Sequence, residues 1–305
     1  MPAPLAVALN PKTISTAITV ISTAKQGTEF VLENEEEIRE IGSKIKEREV
    51  AIEKGDLHPR AIRDTVKDER KAVEALGHTF KALKKDDKKL ENSLQALESG
   101  IEAVSEAETQ DQQELNDVEN IIAELEQKGL TNENMVHQAV KELTEVAEDL
   151  EKEIQVEVKI LEVLMEAEKV EEKEIKEEET LEDEEEQIHY LIDESEEITK
   201  RFGDKKLYSE EEKLERNEEE IMEKTKKEEQ NTKKLLQLTE QELDQVKDEV
   251  ETTMKESEKL YQEAEELQKQ LQQSPAFEED LQRIEKVESI ARDVNSKAEN
   301  TVNQF

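Results

Sequence analysis

Cysteine and tryptophan are absent from this chain of 305 residues, and glycine (seven), proline (five), phenylalanine (five) and tyrosine (three) are scarce. Without cysteine there is no disulfide, no thiolate nucleophile and no cysteine-ligated zinc, and the redox compartment leaves no mark. With 3% aromatic and 33% hydrophobic residues, the bulky material for broad globular cores is missing, although the length alone would allow two domains. No continuous apolar run offers a transmembrane helix, and no basic residue precedes Lys12, so no standard signal peptide is evident. The expectation is a soluble, cytoplasmic protein. Chemistry-bearing motifs are missing as well: no glycine-rich phosphate loop, no serine on a strand-to-helix elbow, no basic and aromatic stripe for bases. Nothing in the sequence implies a cofactor, a small-molecule substrate or an enzyme.

What the chain has is charge. Charged residues make up 41% of it, and the 82 acids outweigh 43 Lys and Arg to give a net charge of −39. Most acids are Glu and Lys is abundant, a composition of solvent-exposed helix. Such an excess repels nucleic-acid phosphates and anionic membranes along most of the chain.

It also has period. From Ile62 to Leu125 apolar residues recur in alternating steps of three and four, and only Glu69, Asp87, Glu108 and Asp111 break the stride. A repeat of 3.5 residues kept up for about nine heptads is the signature of helices winding around one another. The predicted core is Val73, Leu76, Phe80, Leu83, Leu90, Leu94, Leu97, Ile101, Val104, Leu115, Val118, Ile122 and Leu125. Weaker strides follow, from Val136 through Leu143, Leu150 and Ile154 to Leu164, and from Leu236 through Val246 and Leu260 to Leu271. In them Glu157, Glu168 and Glu171 fall on seam positions, and the phase slips between Ile175 and Leu181 and between Ile221 and Leu236. Residues 171–187, with eleven acids in seventeen, leave packed and loose arrangements both open.

Because breakers are rare, each one punctuates. Gly55 to Pro59, Gly129 to Asn134, Gly203-Asp204 and Ser274-Pro275 mark turns, with Ser209 and Glu212 forming a capping box after the third. The segmentation predicted is 1–30 as an apolar, Ser/Thr/Ala-rich N-terminus, 31–54 as a short helix, 55–273 as three long helices (60–128, 132–202, 210–273), and 274–305 as a C-terminal helix. Helices of matched length joined by short turns fold back on each other. The fold class expected is therefore all-α: an elongated antiparallel three-helix coiled-coil bundle, about 100 Å long at 1.5 Å per residue, with shorter flanking helices.

Charge gives an independent test. Folding at Gly129 sets residues 60–89 (net +4) beside 171–200 (net −12), and folding near 206 sets the seven acids of 178–188 beside the five Lys of 224–234. Lys84, Lys85, Lys88 and Lys89, the densest basic patch, read as partners of the acidic 171–200 stretch.

Few constellations carry chemistry. His58, His78, His137 and His189 have no second His at i+3 or i+4, and His78 and His189 come nearest to each other in the hairpin register, with Glu182 and Glu185 close by; solvated or bundle-edge histidines are the reading preferred over a metal site. The Glu runs point to diffuse screening rather than a calcium site, which needs a converging loop. Two segments are candidates for partner binding. In residues 13–24, uncharged and rich in β-branched residues, Ile14, Ile18 and Ile21 share a helical face that would pack on the bundle, bind a protein partner, self-associate or touch a membrane. In 276–302, Phe277, Leu281 and Ile284 lead a second such face.

The leading expectation is a non-enzymatic structural or scaffold protein that spaces or joins protein partners, or copies of itself, through its ends. The alternative is a peripheral tether or adaptor working through 13–24 and 276–302. A chaperone-like clamp ranks below both, with only Leu130, Leu207 and Tyr208 as apolar candidates at the turns.

Overall fold

The computed structural model describes residues 36–52, 54, 59–128, 133–202, 205–272 and 275–304. Residues 13–24, with Ile14, Ile18 and Ile21, lie outside these, as do His58, Gly129, Leu130 and Gly203-Asp204. The described chain is helical: α1 (36–52), α2 (Pro59–Lys128), α3 (Glu133–Phe202), α4 (Lys205–Leu271), a 3-10 turn (Pro275–Phe277) and α5 (Glu278–Val302). Among the described residues there is no strand, and no helix is long and apolar enough to cross a membrane.

The helix ends follow elementary chemistry. Pro59 is the first residue of α2, where a missing N–H is harmless and a fixed φ helps. Lys200 and Arg201 close α3 against the negative end of its dipole, and Glu278, Glu279 and Asp280 open α5 against the positive end. One boundary differs from the sequence reading. α4 begins at Lys205, so Ser209 lies inside the helix rather than capping it. Nothing between 205 and 209 opposes helix, and the Lys200 ammonium sits 5.9 Å from the centre of the Tyr208 ring, holding the first turn to the end of α3.

The described residues form two compact units, one from residues 94–165 and 240–304, the other from 36–93 and 166–239. Each takes a segment of α2, α3 and α4 and adds one shorter helix.

In the 36–93/166–239 unit, α1 is the addition. Its Ile38, Ile41 and Ile45 are buried with Val66, Val73, Leu76, Phe80 and Leu83 of α2, Leu181, Ile188 and Ile192 of α3, and Leu214 of α4. Each large side chain removed from water in this way contributes about 1.5 to 3 kcal/mol. Arg48 fastens α1 to α2 through the Asp64 carbonyl (2.8 Å) and the Asp68 carboxylate, and Arg39 fastens it to Glu184 of α3 (2.9 Å).

In the other unit α5 is the addition. Leu94, Leu97, Ile101, Val104, Leu115, Val118, Ile122 and Leu125 of α2 are buried, as are Leu143, Leu150 and Ile154 of α3 and Leu260, Leu267 and Leu271 of α4. α5 buries Ile284, Val287, Ala291, Val294 and Ala298, its own stride of three and four. Its rim is held by Lys286 to Glu148 (3.1 Å) and by Arg292, which donates to the Tyr261 hydroxyl (2.7 Å) and lies 4.8 Å from that ring's centre.

Candidate functional site

The feature that sets these helices apart is a series of carboxyl groups buried in their seams. On α3, Glu157, Glu171, Glu178 and Glu185 are 0%, 0%, 1% and 0% exposed. They share one phase of the seven-residue repeat, and so do Thr225, Thr232, Thr239 and Thr253 on α4. Each Thr hydroxyl meets one of the acids: Thr225 donates to Glu185 (2.7 Å), Thr239 to Glu171 (3.0 Å) and Thr253 to Glu157 (2.7 Å), and Thr232 lies 3.1 Å from Glu178 and 3.3 Å from Asp87 of α2. Leu164 and Val246, which continue the same sevens, are both buried and apolar. Ser195, buried on α3, donates to Glu211 of α4 at 2.5 Å, where acid and hydroxyl have exchanged helices.

Of the two arrangements the sequence left open for 171–187, the structure has the packed one. Glu171, Glu174, Glu178, Glu184 and Glu185 are among the most deeply buried side chains of the chain. A hydroxyl is short enough to sit inside a seam and supplies the donor that a buried carboxyl needs.

Burial dominates the protonation of these groups, because removing a carboxylate from water costs far more than removing a carboxylic acid. It pushes Glu157 to about 8 against the relief from Thr253, with Glu249, Glu108 and Glu256 adding repulsion. Glu185 goes to about 8, eased by Thr225 and opposed by Glu218 and Glu182. Glu178 goes to about 9, with Asp87 and Glu228 repelling it and Thr232 relieving it. Two acid pairs reach between α2 and α3, Asp111 with Glu153 and Asp87 with Glu174, and burial raises all four. Two adjacent carboxyls hold one proton between them far more readily than they hold two charges. Glu256 and Glu249 of α4 are raised by burial to about 8 and about 7.

The histidines sit at the edges of the helices: His78 is exposed and His189 half-buried. His189 Nδ1 is 2.7 Å from Glu218 of α4, which is wholly buried. Burial works against the imidazolium, but the hydrogen bond to Glu218 outweighs it and raises the His189 pKa. His137 Nδ1 meets Asp280 of α5 at 2.9 Å and packs edge-on to Phe277 at 6.3 Å between ring centres. Among the described residues, no group of three or more His, Asp or Glu is arranged to hold a metal ion.

The C-terminal partner face also changes. Phe277 and Ile284 are 3% and 0% exposed, and Leu281 is half-buried. That face is turned onto α3 and α4 of its own unit, because an apolar stripe beside other stripes is buried at once instead of waiting for a partner. Lys84, expected to pair with the acidic stretch of α3, instead reaches Glu228 of α4 (2.8 Å), and Lys89 pairs with Asp86 of its own helix. The Lys of 224–234 do meet the acids of α3, through Lys233 with Glu179 (3.3 Å) and Lys226 with Glu186 (4.0 Å). A shallow groove over Gly77, Phe80 and Leu214 is rimmed by Arg70, Lys81 and Lys213 as well as by Glu74, Glu210 and Glu220, so it offers no field of one sign.

Sequence reasoning noticed Glu157 and Glu171 on the seam and Asp87 in the α2 stride, but read them as defects. The signal that identifies them is the matching run of Thr at sevens on the next helix.

No family model matches this sequence, and no curated protein is detectably similar to it. Among solved structures the chain is similar to one described as "DHF58 filament", at 12% identity, with 92% of this chain and 99% of that chain covered and a TM-score of 0.20. A second comes from "Computational Design of Self-Assembling Cyclic Protein Homooligomers", at 14% identity, covering 92% and 97%, with a TM-score of 0.15. A third is a "Circular tandem repeat protein with novel repeat topology and enhanced subunit contact surfaces", at 14% identity, covering 93% and 78%, with a TM-score of 0.17. TM-scores this low carry no argument about shared architecture or function.

Proposed function

We propose that this chain is a non-enzymatic structural protein, in which α2, α3 and α4 form an antiparallel three-helix coiled coil that spaces or joins protein partners, including further copies of itself. The observation that carries the reading is the run of acid and hydroxyl pairs between α3 and α4. Each step of seven residues forward on one helix is matched by seven back on the other, from Glu185 with Thr225 through Glu178 with Thr232 to Glu171 with Thr239. Pairs that advance in opposite directions at the heptad interval are what an antiparallel coiled coil produces. Support for α2 comes from Arg70 with Glu210 and Lys84 with Glu228, which advance together as two helices of like direction should, and from the buried Asp111 and Glu153 pair to α3.

Buried polar layers suit a scaffold. They cost stability relative to apolar layers, but sliding α3 by one heptad would set Glu171 against Val246 and Glu157 against Leu260 in one direction, and Glu157 against Val246 in the other, so they fix one register. A protein that holds components at a defined spacing needs that register fixed. The strongly acidic exterior keeps such a surface soluble and steers it toward basic protein partners.

Hydrogen exchange read by mass spectrometry tests the reading. A structural coiled coil predicts slow exchange throughout α2, α3 and α4 in both units; exchange at unstructured-chain rates over 166–202 or 205–239 would overturn it.

A further inference from the structure

We propose that the buried acid and hydroxyl layers make this fold proton-responsive: its seams are closed by carboxylic acids in their neutral form, and the helices loosen as the pH rises and those acids ionise.

The geometry is the ground for this. A buried carboxylate is normally answered by a cation, since a lone charge in a seam is costly to hold. Here the hydrogen-bond partners of the acids are hydroxyls, and most of the charged groups around them are other acids. Glu157 faces Thr253, Glu249 and Glu256 of α4 and Glu108 of α2. Glu178 faces Thr232, Glu228 and Glu229 of α4 and Asp87 of α2; the nearby cation Lys84 is engaged by Glu228, 2.8 Å away. Glu185 faces Thr225, Glu218 and Lys226 of α4; Lys226 also reaches toward Glu186 at the surface, and Glu218 is bonded to His189. Oε2 of Glu157, Glu178 and Glu185 is in each case buried and without a hydrogen-bond partner. A Thr hydroxyl gives one hydrogen, enough for one oxygen of a neutral acid and too little for a carboxylate, which accepts at both.

The sign of the effect follows from linkage. Burial holds Glu157, Glu178 and Glu185 protonated up to about 8, 9 and 8. Below about pH 4.5 they carry protons folded or unfolded, and folding loses nothing. From there upward the unfolded chain ionises and the folded chain does not, so each group lowers the folding constant about tenfold per pH unit until its folded value is passed, where the loss levels off. His189, raised by its bond to Glu218, acts in the same direction, since its contribution is present at low pH and lost as it deprotonates.

The test is thermal melting of the full chain at pH 5, 7 and 9. The melting temperature should fall by about 10 °C or more from pH 5 to pH 9. In Glu157→Gln/Glu178→Gln/Glu185→Gln, which keeps shape and removes ionisation, most of that fall should vanish. A control triple at exposed positions, Glu162→Gln/Glu172→Gln/Glu186→Gln, removes as many carboxyl groups from the surface and should keep it. If the buried triple keeps the wild-type pH dependence, or the control abolishes it, the proposal is overturned. Should the buried triple not fold, infrared spectra of the wild type decide instead. A protonated-carboxyl C=O band at pH 7 that disappears by pH 10 is expected; its absence at pH 7 overturns the proposal.

Discussion

Thr253 and Glu157 make the cleanest place to break a polar layer. Both are wholly buried, and the hydroxyl donates to Glu157 Oε1 at 2.7 Å. Thr253→Val preserves the shape and removes the donor, so Glu157 loses its hydroxyl partner while its other oxygen already has none. The expected cost is about 1 to 3 kcal/mol, near the lower figure at pH 5, where Glu157 is a neutral acid, and near the upper at pH 9, where it is a carboxylate. Adding Glu157→Leu reverses the effect. The layer then resembles its buried neighbours on the same phase, Leu164 and Val246 on one side and Leu150 and Leu260 on the other. Replacing a buried polar pair by well-packed apolar residues is neutral or stabilising by about 1 to 4 kcal/mol. Denaturant unfolding followed by circular dichroism at pH 5, 7 and 9 reads all three proteins. The reasoning fails if the single variant stays within about 0.3 kcal/mol of wild type at every pH, since a donor lost from a buried carboxyl cannot be that cheap. It fails equally if the double variant is less stable than the single.

Other outcomes follow from the same packing. Leu94→Asp with Leu97→Asp places two charges at positions 5% and 1% exposed and should abolish cooperative melting, because each lost Leu costs about 2 to 5 kcal/mol before the charge is counted; an unchanged melt would contradict the seam. Gly77→Ala should raise stability by about 0.5 to 1 kcal/mol, the helix-interior gain of Ala over Gly, because the new methyl meets only the movable end of Ile221 at 3.3 Å; a fall in melting temperature would show that Ile221 cannot give way. Ile284→Asp should detach α5, so that amides of 278–302 exchange rapidly while 166–202 keep their protection; unaltered protection of α5 would mean that its apolar face is not what holds it.

How much of this was legible in the sequence depends on the chemistry of each element. Helix across the described residues was written in the scarcity of Gly and Pro and in the Glu, Lys, Leu and Ala content. The α2 stripe was equally plain, since Phe80, Leu90 and Leu97 advertise burial by type. Glu171, Glu174, Glu178 and Glu185 advertise the opposite. A carboxyl is read as solvent-facing unless its partner is seen, and the partner here is a hydroxyl on another helix, forty residues along the chain from Glu185 and ninety-six from Glu157. The Ser209 capping box misled for a related reason: a local signal worth about 1 kcal/mol was weighed without the contact between Lys200 and Tyr208 that favours an earlier start. The C-terminal stripe led by Phe277 was recognised as apolar, but periodicity does not say whether an apolar face meets its own chain or another.

The register of α3 against α4 is the claim on which the rest stands, and paired spin labels measure it. The chain has no cysteine of its own, so Glu179→Cys/Lys233→Cys introduces two unique sites at exposed positions whose native side chains meet at 3.3 Å. Glu186→Cys/Lys233→Cys moves one label by a heptad, about 10 Å along the helix at 1.5 Å per residue. Strong dipolar broadening in the first protein and much weaker broadening in the second is the predicted result. The reverse order, or equal broadening in both, would contradict the proposed antiparallel register, in which Glu185, Glu178 and Glu171 meet Thr225, Thr232 and Thr239.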